Sequence, residues 1–120
     1  MNWNGRANLE SLARFSPEKY ARVPIEGTNG LVRLLCFEPE QEVALHLHPE
    51  ADEVFYVVKG AATLAIRGKA IHVQAGSVVK ADAGTRHGWK NGSDRLILLS
   101  VLLAVSAYHV AEQAARMEFV

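Results

Sequence analysis

Two histidines and a glutamate lie close together in the sequence, at a spacing that suits metal binding. His46 and His48 stand two residues apart in a segment that alternates like a β-strand, so both side chains point to one face. Glu53 opens the next predicted strand, and its carboxylate can reach the same ion. Two imidazoles and a carboxylate are the ligands of many non-heme metal sites. The alternative for such a His-x-His pair is an exposed strand edge with no ligand role.

The residues around this pair resemble the two sequence motifs of the cupin family. The first motif, at about residues 40–60, is matched by His46-x-His48-x4-Glu53-x6-Gly60. The second, at about residues 76–91, is matched by Gly76-x5-Asp82-x-Gly84-x2-His87-x3-Asn91. The resemblance makes His87 the fourth metal ligand and implies one divalent transition metal ion as cofactor. Iron, manganese, nickel, copper, cobalt and zinc all suit this ligand set.

Two positions depart from the family pattern. Glu40 stands where a glycine is expected six residues before His46, and Asp82 stands where a proline is expected five residues before His87. Both positions fall in predicted turns, and neither removes a ligand. We therefore expect altered loop shapes beside an intact ligand set.

The resemblance implies an all-β fold, namely a jelly-roll barrel (a double-stranded β-helix) that holds the metal inside its open end and pairs as a homodimer. The strand signals agree, because seven or eight short apolar or alternating runs lie between Leu31 and Val105 with turn residues between them. A short helix is predicted over Asn8–Phe15 with Asn8 as N-cap. A short C-terminal helix is predicted over Ser106–Val120, the alternative being a strand that runs on to Val110.

Alternation along the strands also predicts which residues surround the metal. Counting from Glu53 and from His87, the side chains of Phe55 and Trp89 face the interior. Contact with a substrate is one interpretation of these two aromatic residues, and ordinary core packing is the alternative.

Three further residues are candidates for the substrate pocket. Arg33 and Arg86 are possible carboxylate clamps, with plain surface charge as the alternative for each. Cys36 is a candidate pocket residue, with a buried thiol on an apolar strand as the alternative. His72 and His109 are expected outside the site.

Composition bounds the class of protein. A chain of 120 residues predicts one domain, over 1–120, with a core of its own. Lys plus Arg and Asp plus Glu both number 13, so a broad phosphate-binding surface is not expected and neither is a nucleic-acid partner. Cys36 is the only cysteine, which excludes an intrachain disulfide. No leader peptide or membrane span is predicted, so we expect a cytoplasmic protein.

The ligand set predicts a reactive metal site. Three histidines and one glutamate leave one or two coordination positions for water, oxygen or substrate, as in catalytic sites. The leading hypothesis is a metal-dependent enzyme acting on a small oxygenated organic molecule. Dioxygenase chemistry is the first interpretation, and isomerase or lyase chemistry on a sugar or keto acid is the second. The alternative is a non-catalytic protein that binds or senses a small molecule through the metal, and a general base among Glu50, Asp52 and Asp82 would favour the enzyme.

Overall fold

The computed structural model describes residues 5–25 and 31–104, which form one short helix and nine β-strands. In chain order the elements are α1 (Leu9–Leu12), β1 (Ala21–Pro24), β2 (Val32–Phe37), β3 (Glu42–His46), β4 (Ala51–Lys59), β5 (Ala61–Ile66), β6 (Lys69–Gln74), β7 (Val78–Ala81), β8 (His87–Asn91) and β9 (Leu96–Ala104).

The strands form two antiparallel sheets. The five-stranded sheet has the order β1-β2-β9-β4-β7, and the four-stranded sheet has the order β3-β8-β5-β6. Strands that are consecutive in the chain often lie in different sheets, which is the jelly-roll connectivity that the sequence implied. The fold is therefore all-β, a double-stranded β-helix with a small helix near its N-terminal end.

Two hydrophobic clusters hold the layers together. The larger cluster takes residues from both sheets, among them Phe37, Phe55, Leu64 and Leu98, each at most 1% exposed. The smaller cluster lies on the other side of the five-stranded sheet, where Leu12 of α1 packs with residues of β2 and β9. Alternate residues of β2 therefore enter different clusters, as the period of a strand requires.

The N-terminal helix is shorter than predicted. Asn8 is the N-cap, and its side-chain oxygen accepts a hydrogen bond of 3.1 Å from the backbone N–H of Ser11, but the helix ends at Leu12 rather than Phe15. Strand β1 was not predicted, because Pro24 breaks a strand pattern. Proline is tolerated there since β1 is an edge strand. The predicted C-terminal helix over Ser106–Val120 lies outside the described residues.

Membrane-spanning character is not seen in the helical part of the fold. Within residues 5–25 and 31–104, no helix has the length and apolar character needed to cross a bilayer.

Candidate metal centre

The four side chains singled out in the sequence meet at one place in the fold. His46 ends β3, His48 follows it in the connection to β4, Glu53 lies in β4, and His87 begins β8. One ligand atom from each residue lies within 4.8 Å of the others. The cluster forms because His46 pairs directly with His87 across the four-stranded sheet, while Glu53 faces them from the five-stranded sheet.

Backbone carbonyl groups orient two of the imidazoles. Nδ1 of His46 lies 2.9 Å from the carbonyl oxygen of Ala44, and Nδ1 of His87 lies 2.9 Å from that of Thr85. A carbonyl oxygen can only accept, so Nδ1 carries the hydrogen in both rings. The Nε2 lone pairs of the neutral rings are then available for an ion, as is usual for histidine ligands.

Glu53 connects the histidines to a second set of polar groups. Its side chain is 2% exposed, and its Oε1 lies 3.1 Å from Nε2 of both His48 and His87. Its Oε2 accepts a hydrogen bond of 2.5 Å from the hydroxyl of Ser100 and lies 3.6 Å from Nη2 of Arg33. Burial alone would raise the pKa of Glu53, but the hydrogen bonds from His87 and Ser100 and the nearby positive charges lower it overall.

The pKa values of the two histidines beside Glu53 shift in opposite directions. Burial lowers the pKa of His87, but its hydrogen bonds to Glu53 and to the Thr85 carbonyl, with the charge of Glu53, raise it above the usual value. For His48, burial and the other histidines lower the pKa by more than Glu53 raises it. In the metal-free protein both ring nitrogens of His87 face acceptors, so the imidazolium form satisfies both contacts.

The geometry of the cluster fits a metal ion. Two donors bound at about 2.1 Å to one ion and at right angles to each other lie about 3.0 Å apart. The distances from Oε1 of Glu53 to Nε2 of His48 and of His87, both 3.1 Å, match this spacing. Together with the oriented imidazoles, this spacing makes the cluster able to hold a metal ion.

A pocket of about 300 Å³ opens beside the cluster. His46, His48 and Glu53 lie in its wall, and so do Phe55 and Trp89, whose rings meet edge to face with centroids 5.1 Å apart. The inward direction predicted for these two aromatic side chains is confirmed by their burial. Their contact with a substrate stays a prediction.

Of the three arginine and cysteine candidates for the pocket, one lies in the pocket wall and two do not. Arg33 lines the pocket, whereas Arg86 is exposed and lies in a separate surface groove. The placement of Cys36 in the pocket is wrong. Its fully buried side chain packs with Leu12 and Leu34 in the smaller cluster, and burial raises the pKa of its thiol. Arg33 and Cys36 are three residues apart in β2 and therefore point to opposite faces of the sheet.

The candidate general bases lie away from the pocket. Asp52 accepts a hydrogen bond from the backbone N–H of Ala83, and Asp82 pairs with two basic side chains, Arg67 and Lys80. Glu50 is exposed in the turn before β4. None of these carboxylates is among the pocket residues. His72 is exposed and bonds to Thr63, outside the cluster as expected, while His109 lies outside the described residues.

Several residues of the site were missed in the sequence. Ser100 is the only polar residue in the apolar run of β9, and a buried hydroxyl needs a partner, so its position was a usable signal. Tyr20, Arg22 and Glu42 also line the pocket. The first two lie in or beside the unpredicted strand β1, so no sequence signal placed them there.

Comparison with known proteins identifies the part of the chain that carries the site. A family model described as a cupin domain matches residues 33–102, more than half of the chain. A search against curated proteins found no match.

Solved structures extend this likeness to most of the chain. A conserved Klebsiella pneumoniae protein with a double-stranded β-helix domain is 28% identical, with a TM-score of 0.78, over 85% of this chain and 91% of its own. The TT1209 protein of Thermus thermophilus is 28% identical, with a TM-score of 0.76, over 82% and 96%. A predicted oxalate decarboxylase of Thermotoga maritima is 22% identical, with a TM-score of 0.61, over 76% and 96%, which shows a common fold.

Proposed function

The chain belongs to the cupin domain family, and on that premise we propose that it is a metal-dependent enzyme acting on a small oxygenated organic molecule. One observation carries this proposal: three members of the candidate ligand cluster, His46, His48 and Glu53, are at the same time walls of a pocket. A structural metal site is normally closed by its ligands, whereas a site that opens onto a cavity leaves room for a substrate.

The residues of this chain would take different roles at such a site. Glu53, kept ionised by its neighbours, and the three histidines would hold the ion. Ser100 and Arg33 fix the second carboxylate oxygen, and Phe55 and Trp89 form walls that exclude water. A bound divalent ion would polarise a substrate oxygen as a Lewis acid or, if redox-active, exchange electrons with dioxygen.

Dioxygenase chemistry is our first candidate within this class, and isomerase or lyase chemistry on a sugar or keto acid is the second. The retained metal separates them, because iron, copper and nickel change oxidation state whereas zinc does not. The likeness to a predicted oxalate decarboxylase, at 22% identity, concerns the fold and names no reaction for this chain.

A non-catalytic binding or sensing role is the second candidate function, and one observation favours it. Beyond the candidate ligands, the only acidic side chain in the pocket wall as described is Glu42, which is exposed and lies 3.7 Å from Lys90. A binding protein needs no general base, whereas many metal-assisted proton transfers do. Tyr20 also lines the pocket, where its phenolic hydroxyl can donate or accept a hydrogen bond.

Metal content tests both candidate functions, because the enzyme and the binding protein both require a bound metal ion. We would measure it by elemental mass spectrometry on untagged protein and on a His48→Ala, Glu53→Gln double variant. The expected result is about one ion per chain in the parent and a large loss in the variant. His72→Ala is the matched control, since His72 is exposed and outside the cluster. A parent that takes up no metal even after anaerobic reloading would remove the premise of both candidates.

Turnover then separates the enzyme from the binding protein. The metal-loaded protein would be incubated with small hydroxy and oxo acids and sugars, while an oxygen electrode and proton NMR follow consumption and product. Oxygen uptake or a new product that disappears in the double variant supports the enzyme. Binding of the same molecules without any change in them would favour the second candidate.

A further inference from the structure

Two buried hydrogen-bond donors in the pocket have no partner. Among the described side chains, the buried nitrogen atoms without an acceptor are Nε of Arg33 and Nε1 of Trp89. Both residues line the pocket beside the metal cluster. Trp89 is only 2% exposed. Arg33 belongs to the five-stranded sheet and Trp89 to the four-stranded sheet, so the two donors come from different layers around one pocket. Buried donors are normally satisfied, and two orphans among the residues of one pocket point to an acceptor that a ligand supplies.

The kind of acceptor follows from the donors. An indole N–H and a guanidinium N–H can only donate, and neither can bond to a ligand group that itself only donates. A carboxylate can only accept, and it forms the strongest hydrogen bonds with arginine. A hydroxyl group would satisfy the same donors less well, because its bond is not charge-assisted.

The charges around the pocket favour an anion. A divalent ion in the cluster, Arg33 and the carboxylate of Glu53 together leave two positive charges uncompensated. Arg22 adds a further positive charge in the pocket wall, where it is exposed, whereas Glu42 is already near Lys90. Burying uncompensated charge is costly, and an anionic ligand offsets that cost.

The size and apolar part of the pocket favour a small organic acid over a bare inorganic anion. A volume of about 300 Å³ stands at the lower end of the range for ligand pockets, roughly 300–1,000 Å³. Leu35, Val43 and Phe55 offer apolar wall that a carbon skeleton can cover. Among the described residues of the pocket two donor atoms are orphaned, which suits one carboxylate better than the several oxygens of a phosphate.

We propose that the pocket binds a small organic carboxylate, whose oxygens accept hydrogen bonds from Arg33 and Trp89 while its other end reaches the metal cluster. This inference rests on the proposed function, because the metal supplies part of the positive charge. It narrows the class of ligand from an oxygenated molecule to an organic acid.

Isothermal calorimetry on the full chain, loaded with zinc, tests the proposal with two probes of equal size. Malonate carries carboxylates, and malonamide replaces them with neutral amides. We expect malonate to bind about tenfold or more tightly than malonamide, because a hydrogen bond to a charged group is the stronger one. Inorganic phosphate is the third probe and is expected to bind more weakly than malonate.

Variants locate the binding. Trp89→Phe keeps the ring against Phe55 but removes the N–H, and Arg33→Gln removes the charge; each should weaken malonate binding about tenfold. Arg33→Lys keeps a cation without Nε and should fall between parent and Arg33→Gln. Arg86→Gln, on an exposed residue outside the pocket, should match the parent. Thermal unfolding and metal content are measured on each variant, so that misfolding or metal loss is not mistaken for lost contact.

The outcomes separate this inference from the proposed function. The carboxylate inference is overturned if malonate and malonamide bind alike, if phosphate binds more tightly than malonate, if neither organic probe binds at millimolar concentration, or if the Arg33 and Trp89 variants bind as the parent does. Metal content in the same samples reports on the proposed function separately. Arg33-dependent malonate binding by a chain that takes up no metal would sustain the inference while the proposed function fails.

Discussion

The hydroxyl of Ser100 donates a 2.5 Å hydrogen bond to Oε2 of Glu53, across two neighbouring strands of the five-stranded sheet. Ser100 is fully buried, and Glu53 is 2% exposed. The bond holds one carboxylate oxygen to β9, so that the other, Oε1, faces the histidines. A single hydroxyl in an apolar strand thus sets the orientation of the only carboxylate in the candidate metal cluster.

Removing this hydroxyl should weaken metal binding without removing any ligand. We expect Ser100→Ala to lower metal affinity about 10- to 100-fold, the usual effect of losing a hydrogen bond to a metal ligand. Competition with a chromogenic chelator measures the affinity. Ser77→Ala is the control, since Ser77 lies in the turn before β7 and its hydroxyl accepts from the backbone of Gln74. An unchanged affinity in Ser100→Ala would show that Glu53 needs no support from β9.

Metal uptake should release a proton from His87. Its pKa is raised above the usual value by Glu53 and the Thr85 carbonyl, against the effect of burial, so the ring is protonated below that raised pKa and must lose a proton to bind metal. Apparent affinity should therefore fall as the pH drops below this raised pKa, approaching about tenfold per pH unit for each proton displaced. His48, whose pKa is lowered, adds to this dependence only at lower pH.

Zinc titrations in two buffers of different ionisation enthalpy count the protons released. We expect the count to rise toward one proton per ion from His87 as the pH is lowered through its raised pKa. His72→Ala should leave the count unchanged, because His72 bonds only to Thr63 outside the cluster. Equal affinity above and below the raised pKa would contradict a protonated His87 in the metal-free protein.

Gly88 should be indispensable for the placement of His46. A Cβ added at Gly88 would lie 2.7 Å from the carbonyl oxygen of Val43 and 3.1 Å from the backbone nitrogen of Leu45, both in β3. Gly88→Ala should therefore push β3 away from β8, cost about 1–3 kcal/mol of stability, and weaken metal binding as well. Denaturant unfolding and chelator competition measure the two effects.

The matched control for that substitution is Gly92→Ala. An added Cβ at Gly92 would have no atom within 4 Å, so this variant should keep both stability and metal affinity. If Gly88→Ala behaved like Gly92→Ala, β3 would have to be free to shift without moving His46.

Glu40 should be a strained position that glycine would relieve. Its φ of 67° lies in the left-handed region, and it occupies the place where the family pattern has glycine. Left-handed backbone costs a non-glycine residue about 1–2 kcal/mol, which glycine avoids. Glycine in turn loses more conformational entropy on folding, which costs about 0.5–1 kcal/mol. Glu40→Gly should therefore raise the free energy of unfolding, by up to about 1.5 kcal/mol.

Chemical denaturation of Glu40→Gly beside Glu42→Gly tests this difference. Glu42 lies in β3 and has no positive φ, so glycine there should destabilise by about 0.5–1 kcal/mol. Destabilisation of both variants to the same extent would mean that Glu40 gains enough from its surroundings to offset the backbone cost.

The candidate metal cluster could be predicted from the sequence, because metal binding restricts both the types of the ligand residues and their spacing. Sequence reasoning also predicted the strands from Val32 onward, since alternation and turn residues are local signals. It missed the Ser100–Glu53 bond, which joins residues 47 positions apart. Such a contact depends on which strands become neighbours, and local pattern does not determine that.

The error over Cys36 has a different cause. Arg33 and Cys36 lie an odd number of residues apart in β2, so period-two alternation already forbids both from facing one pocket. What the sequence lacked was the outer cluster around Leu12, which gives the second face of β2 something to pack against. The sequence predicts the helix but not the strand face that it covers, so the apolar pattern of β2 alone gives no sign of which face belongs to the pocket.

The placement of the cluster has a mechanical consequence. His46 and His87 belong to one sheet and Glu53 to the other, so any ion held by all three cross-links the two layers of the jelly roll. Like a disulfide between distant segments, such a cross-link limits how far the layers can separate. Occupancy of the site would then govern the stiffness of the pocket as well as its chemistry, and a ligand would meet a firmer cavity in the loaded protein than in the empty one.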